Sequence, residues 1–138
     1  MPQVIDIQKE MDTCTFLEGR HIDTPPEELE AAFATLANYR DGGIFAGGFS
    51  GVSRWEPHRN GDEIVHVLSG ATRLTIMSQR ETETFELTAG MMIIVPQGCW
   101  HRFESETGVR LMTVTPQPTD HTGADDPNET AHNPSVGT

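Results

Sequence analysis

Basic residues are scarce in this chain of 138 residues: nine Lys and Arg stand against twenty-one Asp and Glu, a formal charge of −12. Such a surplus repels phosphate backbones and anionic lipid surfaces, so nucleic acid is not an expected partner. Cysteine is nearly absent too, with only Cys14 and Cys99 present. One bridge is conceivable, but two free thiols in a reducing compartment account for the count better than a disulfide framework does. No run approaches the ~18 apolar residues of a membrane-spanning helix. The opening MPQVIDIQKEMD has neither the basic nor the apolar segment of a secretory leader. These absences set the expectation of a soluble, cytoplasmic protein with no membrane partner.

What is present suffices for one core. A chain of this length with 36% hydrophobic residues sits near the common size of a single domain. From Thr24, the stretch TPPEELEAAFATLANYR reads as a helix: Thr24 can cap it, Pro25 suits the first helical position and Glu27 completes a capping box. Leu29, Ala32, Phe33, Leu36 and Ala37 would form its apolar stripe, lying against the body of the domain. Beyond Arg40, glycine becomes frequent and short apolar runs are separated by turn residues, the punctuation of a β-sandwich or barrel. Strands are expected at 44–56, 63–68, 71–77, 84–87, 91–95, 100–105 and 109–115. From Pro116 the composition turns polar, with Asp120, Asp125, Asp126 and Glu129 and no basic residue, so 116–138 is expected to be a mobile acidic tail. His121 and His132 within it read as solvated side chains.

The informative stretch is SRWEPHRNGDEIVHVLSG, residues 53–70, in which two alternating runs flank Asn60-Gly61, a strong hairpin signal. A two-residue loop there would set His58 opposite Glu63 on one face of the sheet, with Glu56 pointing the same way. Facing Cβ atoms about 5 Å apart would let an imidazole and a carboxylate share one ion. An ordinary cross-strand ion pair would explain these two residues alone. A second stretch, GMMIIVPQGCWHRFES at 90–105, adds an apolar strand, a Pro-x-Gly turn and His101 at the start of another strand.

Together the two stretches resemble the cupin superfamily, whose motifs read G-x5-H-x-H-x3,4-E-x6-G and G-x5-P-x-G-x2-H-x3-N. His58, Glu63 and Gly70 match the latter part of the first, and Gly90, Pro96, Gly98 and His101 match the second. Glu56 stands where the first motif has its leading His, and Ser105 where the second has its final Asn. The resemblance implies an all-β fold, a double-stranded β-helix or jelly-roll barrel, here with one short N-terminal helix. The domain would span 1–115, with an N-terminal strand and helix in 1–42 and the barrel in 43–115. It also implies a divalent metal held by His58, Glu63 and His101. If Glu56 binds as well, two carboxylates and two imidazoles favour Fe, Mn or Zn over Cu(I). If it does not, two His and one carboxylate leave open positions, as in non-haem iron oxygenases, and Glu56 becomes a candidate general base.

Around this set, Arg54 precedes Glu56 by two residues and by strand alternation would face the same interior. It reads either as a clamp for an anionic substrate group or as the partner that orients Glu56. Phe103 and Ser105 share the face of His101 and are expected to line the pocket or pack the core. His66 points to the opposite face and Cys99 is not expected to ligate. Trp55 and Trp100 should point outward. Two functions fit: a metal-dependent enzyme acting on a small organic molecule in the barrel, of oxygenase or isomerase type, or a non-catalytic module that binds metal and a small molecule. A bare metal-free barrel is the weakest reading, because charged residues are costly in an empty interior. By the resemblance a homodimer is expected, with Val4 to Leu17 supplying a strand to the contact.

Overall fold

Two long antiparallel strands organise the molecule, and both bend partway along. The computed structural model describes residues 2–79 and 81–117. In chain order it contains α1 (Ile7–Met11), β1 (Leu17–Arg20), α2 (Pro26–Ala32), β2 (Phe33–Tyr39), β3 (Gly42–Val52), β4 (Glu63–Ser78), β5 (Glu81–Thr88), β6 (Met92–Val95) and β7 (Trp100–Pro116). β4 and β7 pair with each other along both of their halves. In one half the neighbours run β2, β3, β7, β4, β6; in the other, β7 and β4 continue into β5. The crossings are made at Gly70 and Gly108, both at positive φ, and the β4–β7 register slips between Val67 and Ser69 and again between Gly70 and Arg73. A sheet that folds over on itself in this way is a jelly-roll barrel.

Alternation along β4 fills the interior. Glu63, Val65 and Val67 are buried, as are Leu74 and Ile76 beyond the bend. Phe49 of β3, Val95 of β6, and Phe103, Val109 and Leu111 of β7 complete the core with Leu17 of β1. Each such side chain contributes roughly 1.5–3 kcal/mol by leaving water. The core sits between the two halves and leaves one end of the barrel to polar residues.

Four expectations are corrected. The helix from Thr24 to Arg40 ends at Ala32, and Phe33–Tyr39 pairs instead with β3, from Phe33 opposite Gly47 to Tyr39 opposite Gly42. Pairing with an open sheet edge outweighs the weak helix preference of the second half of that stretch. The capping box is not formed, since Thr24 Oγ1 accepts the His21 N–H at 2.8 Å and α2 has no side-chain cap. Val4 to Leu17 is not a strand: Asp6 caps α1 within it, and β1 begins only at Leu17. The barrel therefore carries two short helices where one was expected. Finally, the breaks expected at 69–70 and 106–108 are bends inside continuous strands. Of the expected tail, Pro116 ends β7 and Gln117 donates its backbone N–H to Asp41 at 3.1 Å; the rest, His121 and His132 included, lies outside the described residues.

Candidate metal centre

The expected hairpin at Asn60-Gly61 does not form. Residues 57–62 make a loop, and β4 starting at Glu63 pairs with β6 and β7 instead. His58 and Glu63 nevertheless meet, for a different reason. The loop is pinned to the Pro-x-Gly turn: Gly98 N–H donates to the His58 carbonyl at 2.9 Å, Gln97 N–H to Asp62 Oδ1 at 2.8 Å, and Gln97 Nε2 to the Arg59 carbonyl at 2.6 Å. Asn60 Nδ2 donates to the Gln117 carbonyl at 2.6 Å and fixes the loop's far side. The two sequence stretches are thus hydrogen-bonded directly to each other.

A bulge aims the remaining residues. Ser53 N–H donates to the Phe103 carbonyl at 2.9 Å, and Glu56 and His101 exchange backbone hydrogen bonds at 2.9 and 3.1 Å. Three residues on one side of this ladder therefore span two on the other. Strand alternation is broken between Arg54 and Glu56, and Arg54 does not reach the barrel interior: its Nε donates to the Ile22 carbonyl at 2.6 Å. The expectation that Arg54 shares the interior with Glu56 is corrected on that ground.

Glu63 lies between the two imidazoles. Its Oε2 is 3.1 Å from His58 Nε2 and its Oε1 is 3.1 Å from His101 Nε2, with all three side chains almost wholly buried. Glu63 Oε1 and His101 Nε2 make no hydrogen bond despite their closeness. Buried polar atoms left so are costly, and atoms that face one another across a common point are what ligands of a shared ion look like. Two ligands each about 2.1 Å from an ion at right angles are about 3.0 Å apart, so the spacing fits. Ligand atoms of Glu56, His58 and His101 also lie within 4.8 Å of one another. Glu56, His58, Glu63 and His101 could therefore hold one divalent ion.

The outer contacts suit that role. Thr115 Oγ1 donates to Glu63 Oε2 at 2.7 Å and lies 2.8 Å from Thr113 Oγ1. His101 Nδ1 faces the Cys99 carbonyl at 3.4 Å, which leaves Nε2 for the site. Burial alone would raise the Glu63 carboxyl, but its contacts with His101 and His58 prevail and hold it far below the usual carboxylate range. Burial likewise works against a charged His101, yet Glu63 and, more weakly, Glu56 leave its proton held more tightly than in free histidine.

Glu56, His58 and Glu63 line a cavity of about 320 Å³ whose walls also include Phe33, Phe45, Phe49, Phe103 and Leu111, and His101 is in contact with Glu63. Phe103 serves both expected roles, core and lining, with its ring edge-on to His101 at 6.0 Å. Ser105 does not line the cavity: its Oγ donates to the Ala71 carbonyl at 2.6 Å and accepts the Gly108 N–H at 3.0 Å, tying the bend. Cys14 and Cys99 are free thiols. Trp55 is buried, with the Arg102 guanidinium 4.8 Å from its ring.

Of the lining residues that escaped the sequence reading, Arg20 is the charged one. Arg20, last in β1, is carried into the cavity by the parallel pairing of β1 with β3, where it stands opposite Gly51. Its Nη2 is 3.7 Å from Glu56 Oε1, and its guanidinium carbon lies 4.7 Å from the Phe49 ring centre and 5.6 Å from that of Phe33. Burial lowers its pKa, with Glu56 opposing. No spacing connects Arg20 to the site residues, so no local signal pointed to it.

Comparison with known proteins agrees with this geometry. The sequence profile of the Cupin domain family matches residues 45–115, just over half of the chain, and the chain belongs to that family. No curated protein matches it. Among solved structures, it resembles a cupin-2 domain containing protein from Shewanella frigidimarina, at 24% identity over 62% of this chain and 80% of that one, with a TM-score of 0.50. It also resembles hydroquinone 1,2-dioxygenase from Sphingomonas with 4-hydroxybenzoate bound, at 14% identity, 71% and 80% coverage and a TM-score of 0.54. A third likeness is to the hydroquinone 1,2-dioxygenase PnpCD in complex with Cd2+ and 4-hydroxybenzonitrile, at 16% identity, 61% and 63% coverage and a TM-score of 0.53. At these identities the likeness is one of fold.

Proposed function

We propose that this protein is a metal-dependent enzyme, of oxygenase or isomerase type, acting on a small organic molecule inside the barrel. The observation that carries this is the meeting of His58, Glu63 and His101, buried and mutually in contact, with His58 and Glu63 lining a cavity that is also walled by four phenylalanine rings. Those three residues hold an Fe, Mn or Zn ion in this reading. When bound, the ion would supply a Lewis acid or an oxygen-binding centre. Glu56 is the general base in this reading: its carboxylate contacts Arg20, while Glu63 is the carboxylate that reaches both imidazoles. Apolar walls exclude water from the substrate, which strengthens every charge interaction within. The two hydroquinone 1,2-dioxygenases of like fold, one in complex with Cd2+ and 4-hydroxybenzonitrile and one with 4-hydroxybenzoate bound, lend support.

The test is metal content of protein purified without added metal, followed by anaerobic reconstitution with Fe(II), Mn(II) and Zn(II) and a turnover screen of small organic acids and phenols. About one ion per chain together with turnover is expected. Ligand-induced melting shifts without any turnover would replace the enzyme by a binding module, and absence of any bound ion would sink both.

We read the protein as a cytoplasmic homodimer of one domain, a reading that the two free thiols and the outer sheet face support. Ile44, Val114, Ile64 and Ile94 lie in one register row across four strands, beside a row of Ala46, Met112, His66 and Met92. Since Glu63, Val65 and Val67 point inward, Ile64 and His66 and their partners in β6 point outward; Met92 and Ile94 are about half exposed, at 54% and 53%, while Ala46 at the other end of its row is wholly buried. Light scattering giving a single 15.2 kDa species would end the dimer reading. The acidic balance of −12 argues against a nucleic-acid partner, and no helix among the described residues is long and apolar enough to cross a membrane.

A further inference from the structure

Arg20 is a guanidinium whose side chain is only 10% exposed and which makes no hydrogen bond among the described residues. Among the described residues its charged neighbour is Glu56, 3.7 Å away and beyond hydrogen-bond distance, while the rings of Phe49 and Phe33 contact its π-face. A planar fork of five donors held this way is pre-organised for a planar, two-oxygen acceptor. A buried guanidinium without such an acceptor is expensive. The charges of the filled site agree. A divalent ion and Arg20 oppose Glu56 and Glu63, with both imidazoles neutral, so the buried cluster carries one net positive charge, which a single monoanion neutralises.

We propose that Arg20 is the specificity-determining residue for a substrate that is a small monocarboxylate on a flat apolar body, its carboxylate in the fork of Arg20 and its body among Phe33, Phe45, Phe49 and Phe103. The proposal deepens the reading of the cavity as a metal-dependent site and rests on it for the charge balance. A carboxylate fits better than a phosphate because the fork closes on two oxygens and a second negative charge would leave the cluster negative. The flat body follows from the walls: four phenyl rings bound a cavity of about 320 Å³, and ring-on-ring packing gains most from a planar guest. Arg20 also lies outside residues 45–115, the part matched by the family profile, so it is a feature by which this chain can differ in substrate from others sharing its barrel.

The test is calorimetric titration of the metal-loaded protein with benzoate and with benzamide, which has nearly the same shape and no charge. Benzoate is expected to bind at least tenfold more tightly. Arg20→Met should abolish that preference while metal content is unchanged, and Arg20→Lys, which keeps the charge without the fork, should retain only part of it. Equal affinities for the two probes, no binding of either, or a preference surviving in Arg20→Met would overturn the assignment. Should Arg20→Met not fold, a Lys variant with the full wild-type preference overturns the role of the fork. Metal content separates this failure from that of the metal site. If the wild type takes up no ion, the metal reading falls, and a benzoate preference that still depends on Arg20 upholds the anchor.

Discussion

Glu56 and His101 are locked side by side by two reciprocal backbone hydrogen bonds, 2.9 Å from the Glu56 N–H and 3.1 Å from that of His101. This is a directly opposed antiparallel pair, so the two side chains leave the ladder on one face. The bulge between Ser53 and Glu56 sets which face. Had the strand stayed regular from Ser53, Glu56 would point away from the cavity and Trp55 would occupy its place. Backbone geometry thus sets the face from which the candidate base projects.

Removing ligands should separate the roles. His101→Ala and Glu63→Gln are expected to lose essentially all bound metal, more than the ~10–100-fold that loss of an outer-shell partner costs. Glu56→Gln should keep metal within about that lower limit of tenfold and lose turnover. Elemental analysis with a competitive chelator titration measures both. Metal loss in Glu56→Gln equal to that in His101→Ala would make Glu56 a full ligand and remove it as the base.

Thr115 offers a subtler test. Its hydroxyl donates to Glu63 Oε2 at 2.7 Å in a buried setting. Thr115→Val keeps the shape and deletes the donor, so the carboxylate loses the contact that orients it. Metal affinity should fall by roughly 10–100-fold with little change of fold by circular dichroism. An unchanged chelator titration would show that the hydroxyl plays no part in orienting Glu63.

The metal-free protein should depend on pH through the same cluster. His101 is held above its ordinary value of 6.5, so its contribution to stability is complete below 6.5 and fades as pH rises through the raised value. Glu63 is held below 4.5, so its contribution is complete above 4.5 and fades as pH falls through the lowered value. Both act together between 4.5 and 6.5. The Tm of chelator-treated wild type minus that of Glu63→Gln should therefore be largest in that window and smaller toward pH 9. Adding metal should reverse the trend above the window, because ligation needs neutral imidazoles. A metal-free difference that kept growing toward pH 9 would contradict the assignment.

How far the sequence spoke for this structure depended on how local each cause was. The spacing of the two motif stretches carried the resemblance to the cupins, and it was that resemblance which grouped His58, Glu63 and His101. The hairpin invoked to bring His58 and Glu63 together was wrong, since Asn60-Gly61 is a loop tied to Gln97 and Gln117 instead. Phe33–Tyr39 was read as helix because the stripe through Leu29, Ala32 and Phe33 continues smoothly, and only the open edge of β3 decides otherwise. Arg54 left its expected place and Arg20, which had none, entered the site for non-local reasons: a bulge turned one out, and the parallel pairing of Arg20 with Gly51 brought the other in. Neither event has a signature in residue types.

Two motif glycines should differ in what they tolerate, which tests whether the barrel bend or the turn is the tighter constraint. Gly70 and Gly98 share nearly the same backbone, with φ of 76° and 78°. A Cβ at Gly98 would meet nothing within 4 Å, whereas one at Gly70 would collide with the Gly108 carbonyl oxygen where β4 and β7 both bend. Gly98→Ala should therefore cost only the left-handed backbone penalty, about 1–2 kcal/mol. Gly70→Ala adds a backbone clash that no rotamer change can relieve and should cost about 3 kcal/mol or more. Urea midpoints at unchanged m-value measure the difference. Equal losses would mean that β7 can move away at Gly108, and that the crossing between the two halves of the barrel is softer than its close approach implies.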